Sequence, residues 1–242
     1  MKLNLFKQHH PSALKAENQK RFSNRMGKIM TRKESSRNIV AFQKELEPND
    51  RRSEIYKKAL DLFVKNGYDA TPLSRVSDTL GMSKGNLFHY FASKENLLFE
   101  IQLDFLKKRY IPIVEEAERI PDPADRISFF LRQVTLLNTS TKVNRVLVHE
   151  VERLEKSHQS EVAKIWKRGY GLVSDAIKEL QQSGRVPKRR VSFLTFMLLS
   201  MPFWVVYWFD YSRQDNAPEL AEVITGIFES MLVPMPRITD DK

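Results

Sequence analysis

Residues 71–94 read TPLSRVSDTLGMSKGNLFHYFASK, and this stretch decides the fold. Thr71 is expected to cap a short helix, because Pro72 suits the first helical position, where a missing N–H costs nothing. Apolar residues then recur at helical spacing, and Gly81 is expected to end the helix as a C-cap residue. The stretch therefore begins with one short amphipathic helix and a tight turn.

A second short helix follows the turn. Ser83 is expected to cap it, and Ser93 is expected to cap the next helix, with Glu95 in a first turn that favours negative charge. The spacing predicts that the second helix turns three apolar side chains inward: Leu87, Phe88 and Phe91. A helix, a turn containing glycine and a short helix form the arrangement that presents a helix to the major groove of DNA. An ordinary helical hairpin is the alternative.

These residues resemble the DNA-binding domain of TetR/AcrR-family transcriptional regulators. In that family a first helix ends in a Gly–aromatic pair, here Gly67–Tyr68, and the recognition helix carries Gly–x–Leu–aromatic–x–aromatic–Phe, here residues 85–91. The resemblance covers roughly residues 51–110. It departs from the family at Phe88, where tyrosine is usual, and at two positions where a small alanine is common, Ser77 and Leu80.

The start of the recognition helix is expected to read base edges. Lys84 has donors for guanine, Asn86 suits adenine, and His89 has a donor for a base acceptor or an apolar edge for a thymine methyl. Gly85 has no side chain, so the backbone is able to approach the groove closely. Ser74 is expected on the exposed side of the preceding helix, within reach of a phosphate. The resemblance implies three further phosphate contacts: Thr71, Tyr90 and Lys94.

Positive charge is concentrated ahead of this motif. The chain has a formal net charge of +10, and residues 1–52 carry 13 Lys/Arg and 5 Asp/Glu, a net charge of +8. Such a balance suits a polyanionic partner, here an operator in double-stranded DNA. We expect residues 1–48 to form a flexible basic extension. The pattern leaves open an arm along DNA, a solvated leader, or translation that starts at Met26 or Met30.

Composition favours an all-α fold, since only 8 of 242 residues are glycine and apolar residues recur at steps of three and four. The resemblance implies a three-helix DNA-binding domain with a connecting fourth helix over residues 49–110, and a helical effector-binding and dimerisation domain over residues 111–242. Three prolines are expected to mark a change of direction between them: Pro112, Pro121 and Pro123.

Several classes of protein are disfavoured. The chain has no cysteine, which excludes disulfides and thiolate metal sites and fits a reducing cytoplasm, where we expect a nucleoid-associated protein. It has no phosphate-binding loop, dinucleotide fingerprint or nucleophile elbow, so an enzyme is not expected. His149 lies near Glu150 and Glu152, but these ligands are too few and too irregularly spaced to predict a metal site. No cofactor is expected.

The segment from Val191 to Phe209 carries no charge and follows three basic residues, as a membrane span would. It is short for a bilayer and contains Pro202, so we favour a helix buried by a dimer partner and its own domain, with no membrane contact. A membrane-tethered DNA binder is the alternative. The resemblance implies a homodimer in which the last two helices of each subunit form a four-helix bundle. The final helix is expected to present one apolar side: Leu220, Val223, Ile224, Ile227, Phe228 and Met231.

The resemblance also implies that the middle helices enclose a pocket for a small apolar effector. Aromatic side chains are dense there, and the candidates for the pocket wall are Phe129, Phe130, Trp166, Tyr170, Phe196 and Trp204. Packing in the core or in a dimer is the alternative for each. The family default is a repressor released by its ligand. A loose likeness to acyl or acyl-CoA sensors competes with a multidrug-type sensor of apolar cations and with an effector-free, DNA-bound interaction protein.

Overall fold

The computed structural model describes residues 50–232, which fold into helices without a strand. The all-α expectation is confirmed, while the basic extension of residues 1–48 lies outside the described residues. The α-helices are α1 (Arg51–Asn66), α2 (Leu73–Thr79), α3 (Lys84–Tyr90), α4 (Lys94–Phe105), α5 (Ile111–Glu118), α6 (Pro123–Thr139), α7 (Val143–His149), α8 (Lys156–Gln182), α9 (Val191–Trp208) and α10 (Ala217–Glu229).

Local signals set most boundaries in the first four helices. Gly67 and Gly81 follow α1 and α2 with φ of 85° and 62°, a left-handed backbone that glycine adopts without a steric cost. The side chain of Ser83 accepts the amide of Asn86 at 3.2 Å and caps α3. Ser93 caps α4 in the same way. The predicted turn and both serine caps are therefore confirmed.

The predicted cap at Thr71 is wrong by one residue. Pro72 is the N-cap of α2, which begins at Leu73, and Thr71 is fully buried. Its hydroxyl donates to the carbonyl of Gly67 at 2.8 Å. The side chain therefore satisfies the end of α1 and does not cap α2.

The fourth helix continues where a change of direction was expected. Residues 106–110 form a π-helical turn, in which the amide of Ile111 donates to the carbonyl of Leu106, and α5 follows directly. Proline has no amide to donate, and the wider π turn accommodates Pro112 at the start of α5. The chain turns only near Pro123, where the Asp122 side chain caps α6.

Helix α6 is the centre of the remaining structure, because it contacts α5, α8, α9 and α10. Phe130 and Leu131 are fully buried in it. Near its end, the buried side-chain amide of Asn138 donates to the carbonyl of Pro202 in α9 at 2.8 Å. This core places α8 beside α4 and α5, which the π turn joins, and packs α9 on α6 and α8.

Candidate DNA interface and effector cavity

The recognition helix α3 presents its polar residues outward. Lys84, Gly85, Asn86 and His89 are exposed, as a base-reading surface requires. The inward side consists of Leu87 and Phe91, each 1% exposed.

The prediction that Phe88 points inward is wrong, since this side chain is 51% exposed. On a helix of two turns, an inward stripe at positions 87 and 91 leaves position 88 on the side of Lys84, four residues earlier. The exposed ring adds an apolar surface beside the predicted base-reading residues. Sequence spacing alone did not separate this side from the buried one.

The predicted phosphate contacts differ in accessibility. Ser74 and Tyr90 are half-buried, and the Tyr90 ring lies 6.1 Å from the ring of Phe91. Thr71 has no exposed surface and its hydroxyl proton is used inside the protein, so it is not available to a phosphate. The prediction that Thr71 contacts a phosphate is therefore corrected, because the end of α1 covers its side chain.

Lys94 is anchored to the protein at the first turn of α4. Its Nζ donates to the carbonyl of Tyr68 at 3.0 Å and of Asp69 at 3.4 Å, and lies 4.2 Å from the centre of the Tyr68 ring. Burial raises the pKa of Tyr68 to about 12, so this ring stays neutral beneath the ammonium. Two of the three ammonium protons hold the corner after α1, which leaves one for another acceptor.

A polar and aromatic contact joins the start of α4 to the start of α8. The ring of His158 stacks on Phe99 at 3.7 Å, and its Nδ1 lies 2.8 Å from Oε1 of Glu95. Glu95, Glu155 and His158 form a group whose possible metal-ligating atoms lie within 4.8 Å of one another. The same Glu95 oxygen accepts the backbone amide of Glu155. No sequence signal indicated this contact, because its members are about sixty residues apart.

A narrow cavity lies beside the π turn. Its volume is about 20 Å³, room for about one water molecule. Helices α4, α6, α7, α8 and α9 contribute its walls, together with the π turn. The lining residues are Gln102, Phe105, Leu106, Tyr110, Val134, Leu137, Asn138, Asn144, Leu147, Val148, Val162, Trp166 and Phe203.

Of the six predicted pocket residues, Trp166 lines this cavity and stacks on Phe203 with ring centroids 5.0 Å apart. Phe129 and Phe130 are core residues, buried to 8% and 0% exposure. The other predicted residues lie away from the cavity wall: Tyr170 packs on Phe196 at 5.3 Å, and Phe196 and Trp204 are 63% and 64% exposed. The expectation that these residues form the wall is therefore corrected.

Helices α9 and α10 leave apolar side chains uncovered. Exposed on α9 are Phe193, Phe196, Met197, Trp204 and Trp208. Val223 and Ile227 are exposed on α10, whereas Ile224 and Phe228 are buried, so the single apolar side predicted for this helix divides into two. Only 28% of α9 is buried; within residues 50–232 it is the one helix with the length and hydropathy of a membrane span.

Comparison with known proteins follows the two halves of this structure. A family model described as bacterial regulatory proteins, tetR family, matches residues 55–101, which span α1 to α4. A second, described as Tetracyclin repressor-like, C-terminal domain, matches residues 121–232.

Curated relatives are transcriptional regulators. The HTH-type transcriptional repressor KstR2 of Mycobacterium tuberculosis is 35% identical over 82 residues, 33% of this chain and 40% of KstR2. The match thus spans well under two thirds of that relative's length. The HTH-type transcriptional regulator UidR of Escherichia coli is 24% identical over 182 residues, 73% of this chain and 88% of UidR.

Solved structures share the fold. AibR, in complex with isovaleryl coenzyme A and operator DNA, has a TM-score of 0.68 at 22% identity, covering 74% of this chain and 97% of that chain. The ketosteroid transcriptional regulator KstR2 of Mycobacterium tuberculosis has a TM-score of 0.65 at 22% identity, covering 78% and 98%. The helix-turn-helix geometry, the helical C-terminal part and both family models agree: this chain belongs to the TetR family of transcriptional regulators.

Proposed function

We propose that this protein is a cytoplasmic, nucleoid-associated repressor that binds operator DNA as a homodimer and leaves it when a small apolar effector binds. One observation carries the proposal: the cavity wall includes Gln102 and Phe105 of α4, the helix that starts directly after the recognition helix. A ligand in the cavity therefore pushes on the element that positions α3.

The DNA side of the proposal rests on the exposed surface of α3. A Cβ added at Gly85 would meet no protein atom within 4 Å, so packing does not require glycine there. Close approach to a groove explains its small size. We propose that Lys84, Asn86 and His89 contact bases, and that phosphates are bound by Ser74, Tyr90 and the remaining proton of Lys94.

The release step rests on the connections of α4. Its Lys94 holds the corner after α1, and the side-chain amide of Gln102 donates to the carbonyl of Leu147 in α7, a helix that contacts α1. In a dimer, two recognition helices must reach successive major grooves about 34–36 Å apart, so a small rotation of α4 removes one half-site. Converting a 1:99 equilibrium to 99:1 requires about 5.5 kcal/mol of differential ligand binding.

The cavity lining favours an apolar effector. AibR was solved with isovaleryl coenzyme A, which supports a fatty acyl or acyl-CoA type here. A multidrug-type sensor of cations is less well supported, because the lining contains no acidic residue. The small volume favours the second candidate function, a DNA-bound interaction protein without an effector.

A ligand screen tests the proposal. Fatty acids, acyl-CoAs and apolar cations are added to the protein on its operator, and tryptophan quenching and DNA release are measured together. Trp166→Phe serves as the control for the cavity signal, since Trp204 and Trp208 are exposed on α9. If the protein is an interaction protein without an effector, it stays bound to its operator in the presence of every compound.

Asn86→Ala is expected to weaken operator binding by about 1–3 kcal/mol and to relax preference at one base position, because it removes a bidentate contact to adenine. Gel shifts on the operator and on variants at each position measure this. Lys178→Ala, an exposed change on the last third of α8, is the control and should leave affinity unchanged. Equal losses on operator and random DNA would contradict a base contact by Asn86.

Lys94→Ala is expected to weaken binding to all sequences alike and to lower the slope of log affinity against log salt by about one, as loss of one phosphate contact does. It should also lower thermal stability, because the carbonyls of Tyr68 and Asp69 lose their donor. Salt titrations on operator and random DNA, with a melting curve of each protein, separate the two effects. An unchanged slope with lower stability would show that Lys94 is structural only.

A further inference from the structure

We propose that the cavity beside the π turn binds the uncharged head group of an otherwise apolar effector, an alcohol or a primary amide that both donates and accepts hydrogen bonds. The inference rests on the proposed effector-controlled function. It departs from the fatty acid and acyl-CoA types considered there, because the uncharged lining of this same cavity selects a neutral head group. Its basis is a set of three buried polar atoms on the cavity wall.

Three residues that line the cavity each have a buried side-chain atom that lacks a hydrogen-bond partner: Oε1 of Gln102, Oδ1 of Asn144 and Nε1 of Trp166. The hydrogen bond that each amide nitrogen donates fixes the orientation of its side chain. The Gln102 amide nitrogen donates to the carbonyl of Leu147 at 3.2 Å, and the Asn144 amide nitrogen donates to the carbonyl of Leu137. Each amide therefore keeps its oxygen for another donor.

Buried polar groups in folded proteins are nearly always paired, because an unpaired one loses its hydration without compensation. Gln102 and Asn144 are 2% and 1% exposed, so bulk water does not satisfy them. Three such atoms on the wall of one cavity indicate a site for a polar partner. The partner must supply donors to two oxygens and an acceptor to one N–H.

The charge of that partner follows from the rest of the lining. No lining residue carries a formal charge, and burial raises the pKa of the Tyr110 phenol above its usual range. A carboxylate or an ammonium would lose its hydration here without a counter-ion. A neutral head group is therefore selected: a hydroxyl has one donor and an acceptor for these atoms, and a primary amide has two donors and an acceptor, the set that all three require.

The size of the cavity determines what occupies it first. A volume of about 20 Å³ holds about one water molecule, which has the same two donors and an acceptor. The effector head takes this place, and a tail requires apolar side chains of the lining, such as Phe105 and Phe203, to move apart. Because Gln102 belongs to α4, a head group bound to its oxygen acts on the DNA-binding half.

A ligand series with one tail and different heads tests this directly. Decan-1-ol, decanamide, decanoate, decylammonium, decanoyl-CoA and decane are titrated into the full-length protein by calorimetry, and DNA release is followed in parallel. The alcohol and the amide are expected to bind at least about 10-fold more tightly than the charged compounds and decane, the size of one hydrogen bond or more.

Trp166→Phe keeps an aromatic ring and removes the N–H. It is expected to lower affinity for decan-1-ol by about 10-fold. Trp208→Phe makes the same change on the exposed end of α9 and should have no effect on ligand affinity.

Tighter binding of decanoate, decylammonium or decanoyl-CoA would overturn the inference while leaving an effector-controlled repressor intact. Equal affinities for decane and decan-1-ol, or an unchanged Trp166→Phe protein, would overturn it as well. If no compound binds and the operator stays bound throughout, the cavity holds a structural water only, and the proposed sensor function fails with the inference.

Discussion

Replacing Trp204 with glutamate is expected to convert the proposed homodimer into monomers and to lower operator affinity by about 100-fold or more. Trp204 is 64% exposed, near the other exposed aromatic residues of α9, and its ring lies 4.8 Å from that of Tyr207. Desolvating an unpaired carboxylate in an apolar interface is costly, and aromatic anchors carry much of the binding energy. A monomer loses the second half-site, and with it an avidity of about 10²–10⁴.

Sedimentation and operator gel shifts on the same samples measure both effects. Trp204→Phe keeps an apolar ring and is the matched control, expected to remain dimeric. Because the side chain is exposed, the helical circular dichroism signal should not change in either variant. A Trp204→Glu protein that remains dimeric would place the interface elsewhere.

Gly169→Ala is expected to lower the free energy of unfolding by about 1–3 kcal/mol, the usual cost of overpacking a core. A Cβ at this position of α8 would lie 2.0 Å from the hydroxyl oxygen of Tyr110 and 2.9 Å from Cζ of Phe130. Both rings are buried, at 4% and 0% exposure, so neither is free to swing aside. Thermal melts and urea titrations measure the loss.

Gly171→Ala is the control in the same helix, because a Cβ there would meet no atom within 4 Å. It is expected to raise stability by about 0.5–1 kcal/mol through helix propensity. Adding Tyr110→Phe to Gly169→Ala removes the nearest clashing atom and should recover part of the loss. Equal stability of the Gly169→Ala and wild-type proteins would show that α8 is free to shift away from the π turn.

Local chemistry explains why so much of the DNA-binding half was predictable. Ser83 and Ser93 cap helices through amides three residues later, and Gly67 and Gly81 end helices through their own backbone angles. Such interactions are complete within a few residues, so the sequence contains all their partners. Of the three α3 side chains predicted to point inward, only Phe88 is exposed, because a helix of two turns has too few residues to define its buried side from spacing alone.

The C-terminal half, from residue 111 onward, was less predictable for a physical reason. Helix α9 is apolar all round, so its periodicity does not indicate which side packs on α6 and α8, and Phe196 and Trp204 proved to be exposed. The continuous rod through Pro112 likewise depends on a π turn without a sequence signal of its own.

The sequence by itself determined an all-α chain and the helix-turn-helix motif, because caps, turns and apolar spacing act locally. Tertiary structure alone decided that Thr71 is buried against the end of α1 and that Lys94 donates a hydrogen bond to the carbonyl of Tyr68. It also decided where the cavity lies, because Gln102, Asn144 and Trp166 come from three helices distant in the chain. Such contacts depend on how helices pack, which nearest-neighbour patterns do not encode.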